Sequence, residues 1–166
     1  LLKRRINKFD VTKFEGLVGS DLKLFIYNQC YQKSLNKIIN YKKKYNFYFL
    51  LVYPYLRCST KEIYSKVKKY SSSSKKNFAR ITSKKAFIKT IIEERNDLQS
   101  IACKKFGELE KIINTMSNQK GCLFSRMTGS GSVCFGMFQD RRLALLGMKY
   151  LKKKFPKYWC VITKTI

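Results

Sequence analysis

The sequence predicts an α+β fold, a ferredoxin-like split βαβ unit with a four-stranded antiparallel sheet and helices on one face. The first observation is the order of predicted elements after residue 46, which runs strand, helices, strand, strand, helix, strand. The second is the alternation of large and small residues from Ser132 to Phe138, which is typical of a strand with two unlike faces. Residues 1–45 do not fit this unit, and we expect them to be the end of a preceding domain.

The composition supports a folded protein with a buried core. Of the 166 residues, 45% are hydrophobic and 14% are aromatic, which excludes a wholly disordered chain. The longest apolar run, from Phe47 to Tyr53, is far shorter than the ~20 residues that span a membrane. We therefore expect a cytoplasmic protein that does not enter a membrane.

The elements before Pro54 are predicted from short apolar stretches and the residues that interrupt them. They are a helix over Val11–Val18, a strand over Leu22–Tyr27, a long connection or weak hairpin over 28–46, and a buried strand up to Tyr53. Pro54 ends this last strand because proline cannot donate to the ladder.

Serine and aspartate residues mark the starts of the predicted helices that follow. Ser59 or Thr60 caps a helix to about Tyr70, Ser83 caps a helix to about Arg95, and a third helix runs from Asp97 to Met116. The four serines Ser71–Ser74 between the first two helices indicate a surface loop. In the third helix, apolar residues recur at steps of three and four, which predicts one buried face.

The last part of the chain alternates strands with a turn and a helix. The predicted elements are a strand over Cys122–Met127, a turn at Gly129–Gly131, a strand over Ser132–Phe138, a helix capped by Asp140, and a final strand over 157–166. Pro156 ends the helix because its ring does not fit a helix interior.

The net charge of +26 has two interpretations. A basic protein can bind nucleic acid, but 28 of the 36 basic residues are Lys and only 8 are Arg, and they are spread along the whole chain. Arg is the residue that binds phosphates in a bidentate manner. We therefore interpret the charge as a result of AT-rich codon usage that also attracts anionic substrates.

Cysteine and histidine usage limits the metal chemistry. The six cysteines form no CxxC pair, and the chain has no histidine to complete a zinc site. We expect no metal bound by protein side chains alone, and free, buried thiols as in a reducing compartment.

Three short stretches carry candidate site residues, and each has a purely structural alternative. Asp21 follows Gly19-Ser20 and could be a turn residue. Thr60 and Tyr64 could be only a helix start with a surface tyrosine, or a hydroxyl and an aromatic ring four residues apart on one helix face that binds a ligand. Gly129-Ser130-Gly131 could be a common hairpin turn, or a loop whose free backbone amides face an anion.

Taken together, these stretches resemble the C-terminal part of the GHMP kinase superfamily. The resemblance rests on four segments in family order: "LVGSDLKLFI", "YPYLRCSTKEIY", "NDLQSIACKKFGEL" and "RMTGSGSVCFGMF". It covers nearly the whole chain. It is strongest to the branch that phosphorylates the 2-hydroxyl of 4-diphosphocytidyl-2-C-methyl-D-erythritol in non-mevalonate isoprenoid precursor biosynthesis.

The resemblance implies a role for each matched position. Asp21 matches the catalytic aspartate, which orients or deprotonates the acceptor hydroxyl. Thr60 and Tyr64 match positions at the cytidine end of the substrate. Gly129, Ser130 and Gly131 match a loop that supports the phosphate-binding region. The implied ligands are ATP, Mg²⁺ and a cytidine-diphosphate sugar alcohol, in a monomer or weak homodimer without nucleic acid.

The resemblance also has departures. Lys23 stands where the family has an apolar residue, and Gly107-Glu108 stands where it has Pro-Glu. The family's catalytic lysine and its glycine-rich ATP loop lie before the matched region. We therefore expect residues 1–45 to be the end of the ATP-binding N-terminal domain and 46–166 to be the C-terminal domain, a fragment inactive alone.

Two alternatives remain open from the sequence. One is another GHMP kinase, of the homoserine or mevalonate type. The other is a basic ferredoxin-like RNA-binding module, whose signature strand requires aromatic and β-branched residues. Ser132–Phe138 departs from that signature, because Val133 replaces an aromatic residue and Gly136 replaces a β-branched one.

Overall fold

The computed structural model describes residues 19–27, 29–35, 37–41, 43–72 and 78–165, together with the single positions 14 and 17. The strands in this part are β1 (Cys30–Ser34), β2 (Lys37–Asn40), β3 (Tyr48–Tyr53), β4 (Cys122–Met127), β5 (Cys134–Phe138) and β6 (Trp159–Lys164). The α-helices are α1 (Thr60–Ser65), α2 (Lys84–Glu93), α3 (Gln99–Lys105), α4 (Gly107–Ser117) and α5 (Arg141–Lys154). Two 3-10 helices, Ser20–Ile26 and Phe78–Arg80, complete the list.

Strands β3 to β6 form the predicted antiparallel sheet, in the spatial order β4-β5-β3-β6. This order places the first and third strands of the unit at the centre, which is the arrangement of a split βαβ fold. The predicted fold class is therefore confirmed. Helices α4 and α5 cover one face of this sheet. The fully buried residues between them include Leu50, Val52, Leu109, Ile112, Met116, Phe138, Ala144 and Leu151.

The opposite face of the sheet has a smaller core of its own. Phe47, Phe87 and Met137 are buried there, and Phe49 and Phe124 pack against them. Phe87 belongs to α2, a helix that a simple ferredoxin-like unit does not have. Helix α2 therefore covers part of the sheet face that such a unit leaves open.

Strand β5 has the two unlike faces that its sequence predicts. Phe135 and Met137 lie on the side of the smaller core, whereas Cys134 and Gly136 lie on the side of α4 and α5. A Cβ atom on Gly136 would lie 2.5 Å from the Sδ atom of Met116. The small residue thus leaves space for a buried methionine of α4.

The predicted helix caps are present. The side chain of Ser59 accepts a hydrogen bond from the Glu62 N–H (3.3 Å), and that of Ser83 accepts one from the Ala86 N–H (3.1 Å). Asp140 caps α5 in the same way. The first of these helices is shorter than predicted, because α1 ends at Ser65.

The stretch predicted as a strand over Leu22–Tyr27 is a 3-10 helix instead. Its bonds are local, from the Leu22 N–H to the Gly19 carbonyl and from the Tyr27 N–H to the Leu24 carbonyl, both 3.1 Å. A short apolar stretch adopts a strand only where another strand pairs with it, and the neighbouring β1 pairs with β2. The residues from 28 to 46 contain this β1–β2 hairpin, which was one of the two alternatives.

The long helix predicted from Asp97 to Met116 is two helices. Phe106 has φ −126° and ψ 86°, outside the helical region. Its N–H closes α3 on the Ala102 carbonyl (2.8 Å), and its carbonyl starts α4 by accepting the Leu109 N–H (3.0 Å). The predicted apolar stripe is still buried as one face, since the break leaves both helices against the same core.

Two further expectations are limited by the described residues. Of the helix predicted over Val11–Val18, only positions 14 and 17 are described, and both are helical. Within the described residues, no helix combines the length and the apolar character needed to cross a membrane.

Candidate active site

The Gly129–Gly131 loop is a tight hairpin between β4 and β5. The Thr128 N–H donates to the Val133 carbonyl (2.8 Å), and the Gly131 N–H donates to the Thr128 carbonyl (2.9 Å). Gly129 and Gly131 have φ values of +47° and +97°, which glycine adopts without strain. At Gly131 a Cβ atom would also lie 2.7 Å from the Met127 Sδ atom. The loop therefore requires glycine for its conformation and its packing.

Two side chains and one backbone carbonyl from other segments hold this loop. The Asn96 amide donates to the carbonyls of Met127 (3.0 Å) and Gly129 (2.8 Å). The Gln99 side chain accepts the Met127 N–H (2.9 Å), and the buried Ser132 hydroxyl donates to the Leu56 carbonyl (2.7 Å). These bonds tie the loop to the segments that surround it.

The backbone amides at the tip of the loop are available to a ligand. Within the described part of the chain, the N–H groups of Gly129 and Ser130 donate to no other group. Adjacent free amides form a concave site that favours an anion. The loop can therefore act both as a turn and as an anion-binding element.

Helix α1 begins beside this loop. The hydroxyls of Thr60 and Ser130 share a hydrogen bond of 2.9 Å, although the residues are 70 positions apart in the chain. Tyr64 lies one turn further along the same helix face, and 49% of its surface is exposed. Two of the three predicted site stretches are therefore in direct contact.

Ion pairs fix the position of α1 relative to α3. The Glu62 carboxylate pairs with Lys66 on its own helix (3.0 Å) and with Lys105 of α3. The hydrogen bond from Lys105, followed by that from Lys66, lowers the pKa of Glu62 from its ordinary value of 4.5. The charged carboxylate therefore links α1 to α3.

Asp21, in the third predicted stretch, makes no contact with Thr60 or Ser130 through a described hydrogen bond or ion pair. It is exposed in the 3-10 helix Ser20–Ile26. Among the described residues, no hydrogen bond or ion pair joins its carboxylate to α1 or to the Gly129–Gly131 loop. The structure thus shows a direct contact between Thr60 and Ser130, and the catalytic role of Asp21 stays a prediction.

Sequence reasoning missed the residues that hold the loop. Asn96 and Gln99 were part of a recognised segment, but no role was predicted for them. Asn96 carries one readable signal, since an asparagine just before a helix often accepts a nearby backbone N–H. Its Oδ1 atom indeed accepts the Leu98 N–H (3.0 Å), but the contact with the loop depends on the tertiary structure.

Comparison with known proteins identifies the domain. Residues 83–157 match the family model described as "GHMP kinases C terminal". These residues are a GHMP kinase C-terminal domain. The family model covers α2 to α5 with β4 and β5, so the Gly129–Gly131 loop and Asn96 lie within the GHMP domain.

The similarity to named relatives extends beyond the GHMP domain. The 4-diphosphocytidyl-2-C-methyl-D-erythritol kinase of Pelagibacter ubique (strain HTCC1062) is 34% identical over 163 residues, which is 98% of this chain. The alignment covers 57% of that kinase, so the chain spans little more than half of its relative. The resemblance stated from the sequence is therefore confirmed.

Solved structures show the same fold. A homoserine kinase from Cytophaga hutchinsonii matches 95% of this chain and 56% of its own chain, with a TM-score of 0.66 and 12% identity. A 4-(cytidine 5'-diphospho)-2C-methyl-D-erythritol kinase matches 93% of this chain and 57% of its own, with a TM-score of 0.63 and 18% identity. At these identities the likeness concerns the fold alone.

Proposed function

We propose that this chain is the C-terminal part of an ATP-dependent kinase that phosphorylates the 2-hydroxyl of 4-diphosphocytidyl-2-C-methyl-D-erythritol. Residues 46–166 would form the GHMP C-terminal domain, and residues 1–45 the end of the ATP-binding domain. The product would enter isoprenoid precursor biosynthesis. The similarity to the Pelagibacter ubique kinase over 98% of the chain supports this substrate.

The observation that carries the proposal is the hydrogen bond between Thr60 and Ser130 (2.9 Å). It joins the helix proposed to hold the cytidine end of the substrate to the loop proposed to lie beside the phosphates. A kinase requires both parts of its reaction next to each other, because phosphoryl transfer depends mainly on positioning and electrostatics. The exposed ring of Tyr64 can stack on the base.

Among the described residues, some can contact the phosphates of the implied ATP–Mg²⁺ group. Free amides at Gly129 and Ser130 suit a phosphate oxygen. Within the described residues, no group of three or more His, Cys, Asp or Glu side chains could hold a metal ion. Magnesium in kinases is bound by one or two carboxylates together with substrate phosphates. When bound, ATP with Mg²⁺ supplies the phosphoryl group, and Asp21 would orient the accepting hydroxyl.

The fold argues against the RNA-binding alternative. RNA-recognition domains bind bases on an open sheet face that carries stacking aromatic rings. Here Phe49 and Phe124 of that face pack against the buried Phe47, Phe87 and Met137. The aromatic residues that would stack on bases are instead used in a protein core.

A substrate panel tests the proposed function. The protein that contains this chain is assayed for ATP consumption with 4-diphosphocytidyl-2-C-methyl-D-erythritol, homoserine and mevalonate. We expect turnover only with the first alcohol. Turnover with homoserine or mevalonate instead would contradict the proposed substrate, and a lack of turnover with all three would contradict the proposed reaction.

A further inference from the structure

We propose that Asn96 is a positioning residue that directs the free amide of Ser130 toward the phosphates of the nucleotide. The inference rests on the proposed function, and it assigns a role to a residue that does not itself contact the ligand. In this proposal, the contact between Asn96, which lies just before α3, and the Gly129–Gly131 loop orients the loop amides for an anion.

The side chain of Asn96 is fully engaged by the loop and the helix start. Its amide nitrogen donates to the carbonyls of Met127 (3.0 Å) and Gly129 (2.8 Å), and its oxygen accepts the Leu98 N–H (3.0 Å). Both donor hydrogens of an asparagine amide are thus used. The three bonds fix the orientation of the amide and, through it, of the loop carbonyls.

The hydrogen bond from Asn96 to the Gly129 carbonyl also sets the direction of the Ser130 N–H. The Gly129–Ser130 peptide bond is trans, so its C=O and N–H point in opposite directions in one plane. Because Asn96 binds the Gly129 carbonyl, the Ser130 N–H points away from Asn96. It donates to no other group within the described residues.

The neighbouring amide is set in a similar way by the turn itself. The Thr128 carbonyl accepts the Gly131 N–H inside the hairpin (2.9 Å), which turns the Gly129 N–H out of the hairpin. Two successive free amides are thereby arranged without help from a ligand. Such preorganised donors stabilise an anion more than donors that must first reorient.

Ser130 is also held from the opposite side. Its hydroxyl shares a hydrogen bond with Thr60 at the start of α1 (2.9 Å). The residue is thus fixed by Thr60 through its side chain and by Asn96 through the preceding carbonyl. Asn96 therefore acts through the backbone on the Ser130 N–H, whereas the Ser130 hydroxyl bonds to α1.

The variant Asn96→Asp removes the two hydrogen bonds that this side chain donates and keeps the one that it accepts. Aspartate has nearly the same shape and can still accept the Leu98 N–H, but it has no hydrogens for the two carbonyls. In the protein that contains this chain, we expect the KM for ATP to rise about tenfold or more, as for the loss of a hydrogen bond to a charged group. The KM for the acceptor alcohol should stay within twofold.

Asp140→Ala is the matched control. It also removes one polar side chain that binds backbone, the cap of α5 at the Leu143 N–H (3.0 Å), but at the end of β5 far from the loop. We expect it to lower the Tm and leave the KM for ATP unchanged. If Asn96→Asp also leaves the KM for ATP unchanged, the positioning role is overturned.

A measurement on the unmodified protein tests the proposal without any variant. Amide hydrogen exchange at Gly129 and Ser130 is followed by NMR with and without saturating Mg·ATP. We expect fast exchange in the free protein and slow exchange at Ser130 in the complex. Equal exchange rates at Ser130 in both states overturn the proposal, whether or not Asn96→Asp folds.

The two measurements distinguish this inference from the proposed function. If Mg·ATP protects Ser130 in the unmodified protein but not in Asn96→Asp, the positioning role is supported even where no alcohol of the substrate panel is phosphorylated. If the expected alcohol is phosphorylated but Asn96→Asp keeps the KM for ATP and the protection of Ser130, the function stands and the inference is overturned.

Discussion

Asp21 and Thr60 illustrate two kinds of candidate residue in this protein. Thr60 is held by a hydrogen bond to Ser130 and starts a helix that ion pairs attach to α3. Asp21 is exposed, and its carboxylate makes no hydrogen bond or ion pair with the other described residues. A carboxylate without such contacts contributes little to folding. A change at Asp21 therefore reports on chemistry more directly than a change at Thr60.

We predict that Asp21→Asn lowers kcat by about 10²- to 10⁴-fold, the range for losing a general base. The free energy of unfolding should change by less than about 0.5 kcal/mol, as for other surface substitutions. Steady-state kinetics and urea denaturation of the protein that contains this chain measure both quantities. Glu108→Gln, at an exposed position of α4, is the control and should leave kcat unchanged. An unchanged kcat in Asp21→Asn would remove Asp21 from the site.

At the scale of elements, the surroundings of two glycines show how tightly the sheet and α4 fit together. Gly136 of β5 faces the fully buried Met116, whereas Gly107 at the start of α4 has open space around its Cα atom. Neither glycine has a positive φ. The effect of an added methyl group on the free energy of unfolding is therefore decided by packing at Gly136 and by chain entropy at Gly107.

We predict opposite effects for alanine at these two positions. Gly136→Ala places a Cβ atom 2.5 Å from the Sδ atom of Met116 and should destabilise the protein by about 1–3 kcal/mol, as overpacking does. Gly107→Ala should stabilise it by about 0.5–1 kcal/mol, because alanine restricts the unfolded chain and favours the helix. Urea denaturation of both variants checks the signs. A neutral Gly136→Ala would show that Met116 can move away.

The contact between α1 and α3 should depend on pH through Glu62. Lys105 and Lys66 lower the pKa of its carboxylate in the folded protein, so the contribution to stability is present above its ordinary pKa of 4.5 and is lost as the pH falls through the lowered value. We predict that Glu62→Gln has a lower Tm than the unmodified protein at pH 6, and that this difference is smaller at pH 3. Thermal melts at both pH values measure this.

Salt provides the control for the Glu62 prediction. Because the carboxylate is exposed, the ion pairs are screened at about 1 M NaCl. The Tm difference at pH 6 should shrink under that condition. A difference that persists at pH 3 or in high salt would mean that Glu62 acts through packing and not through its charge.

At the scale of the whole molecule, the charge of +26 acts over distances longer than any single contact. A positive surface attracts anionic substrates and raises their rate of encounter. The chemistry after binding does not depend on this attraction. Charge should therefore influence the capture of ATP and of a diphosphate substrate more than their conversion.

We predict that kcat/KM for the anionic substrates falls by about tenfold as the ionic strength rises from about 0.02 to 0.3 M, because the Debye length shortens over this range. The value of kcat should change less than twofold. Initial-rate kinetics at several salt concentrations, with the Tm measured in parallel, test this. A kcat/KM that is independent of salt would show that the charge is only a feature of composition.

The sequence by itself determined the features that depend on local rules. The alternation in β5, the caps at Ser59, Ser83 and Asp140, and the order of elements after residue 46 all follow from patterns within a few residues. The GHMP resemblance likewise rests on short segments in a fixed order. These features could be predicted because each segment carries its own signal.

The tertiary structure alone decided how the candidate site is assembled. The contact of Thr60 with Ser130 spans 70 residues, and that of Asn96 with Gly129 spans 33. Neither leaves a local pattern, because the partners meet only after β4, β5 and α3 have packed. The break at Phe106 and the 3-10 helix at Asp21 were also decided there, since core packing and strand pairing override the weak preferences of short segments.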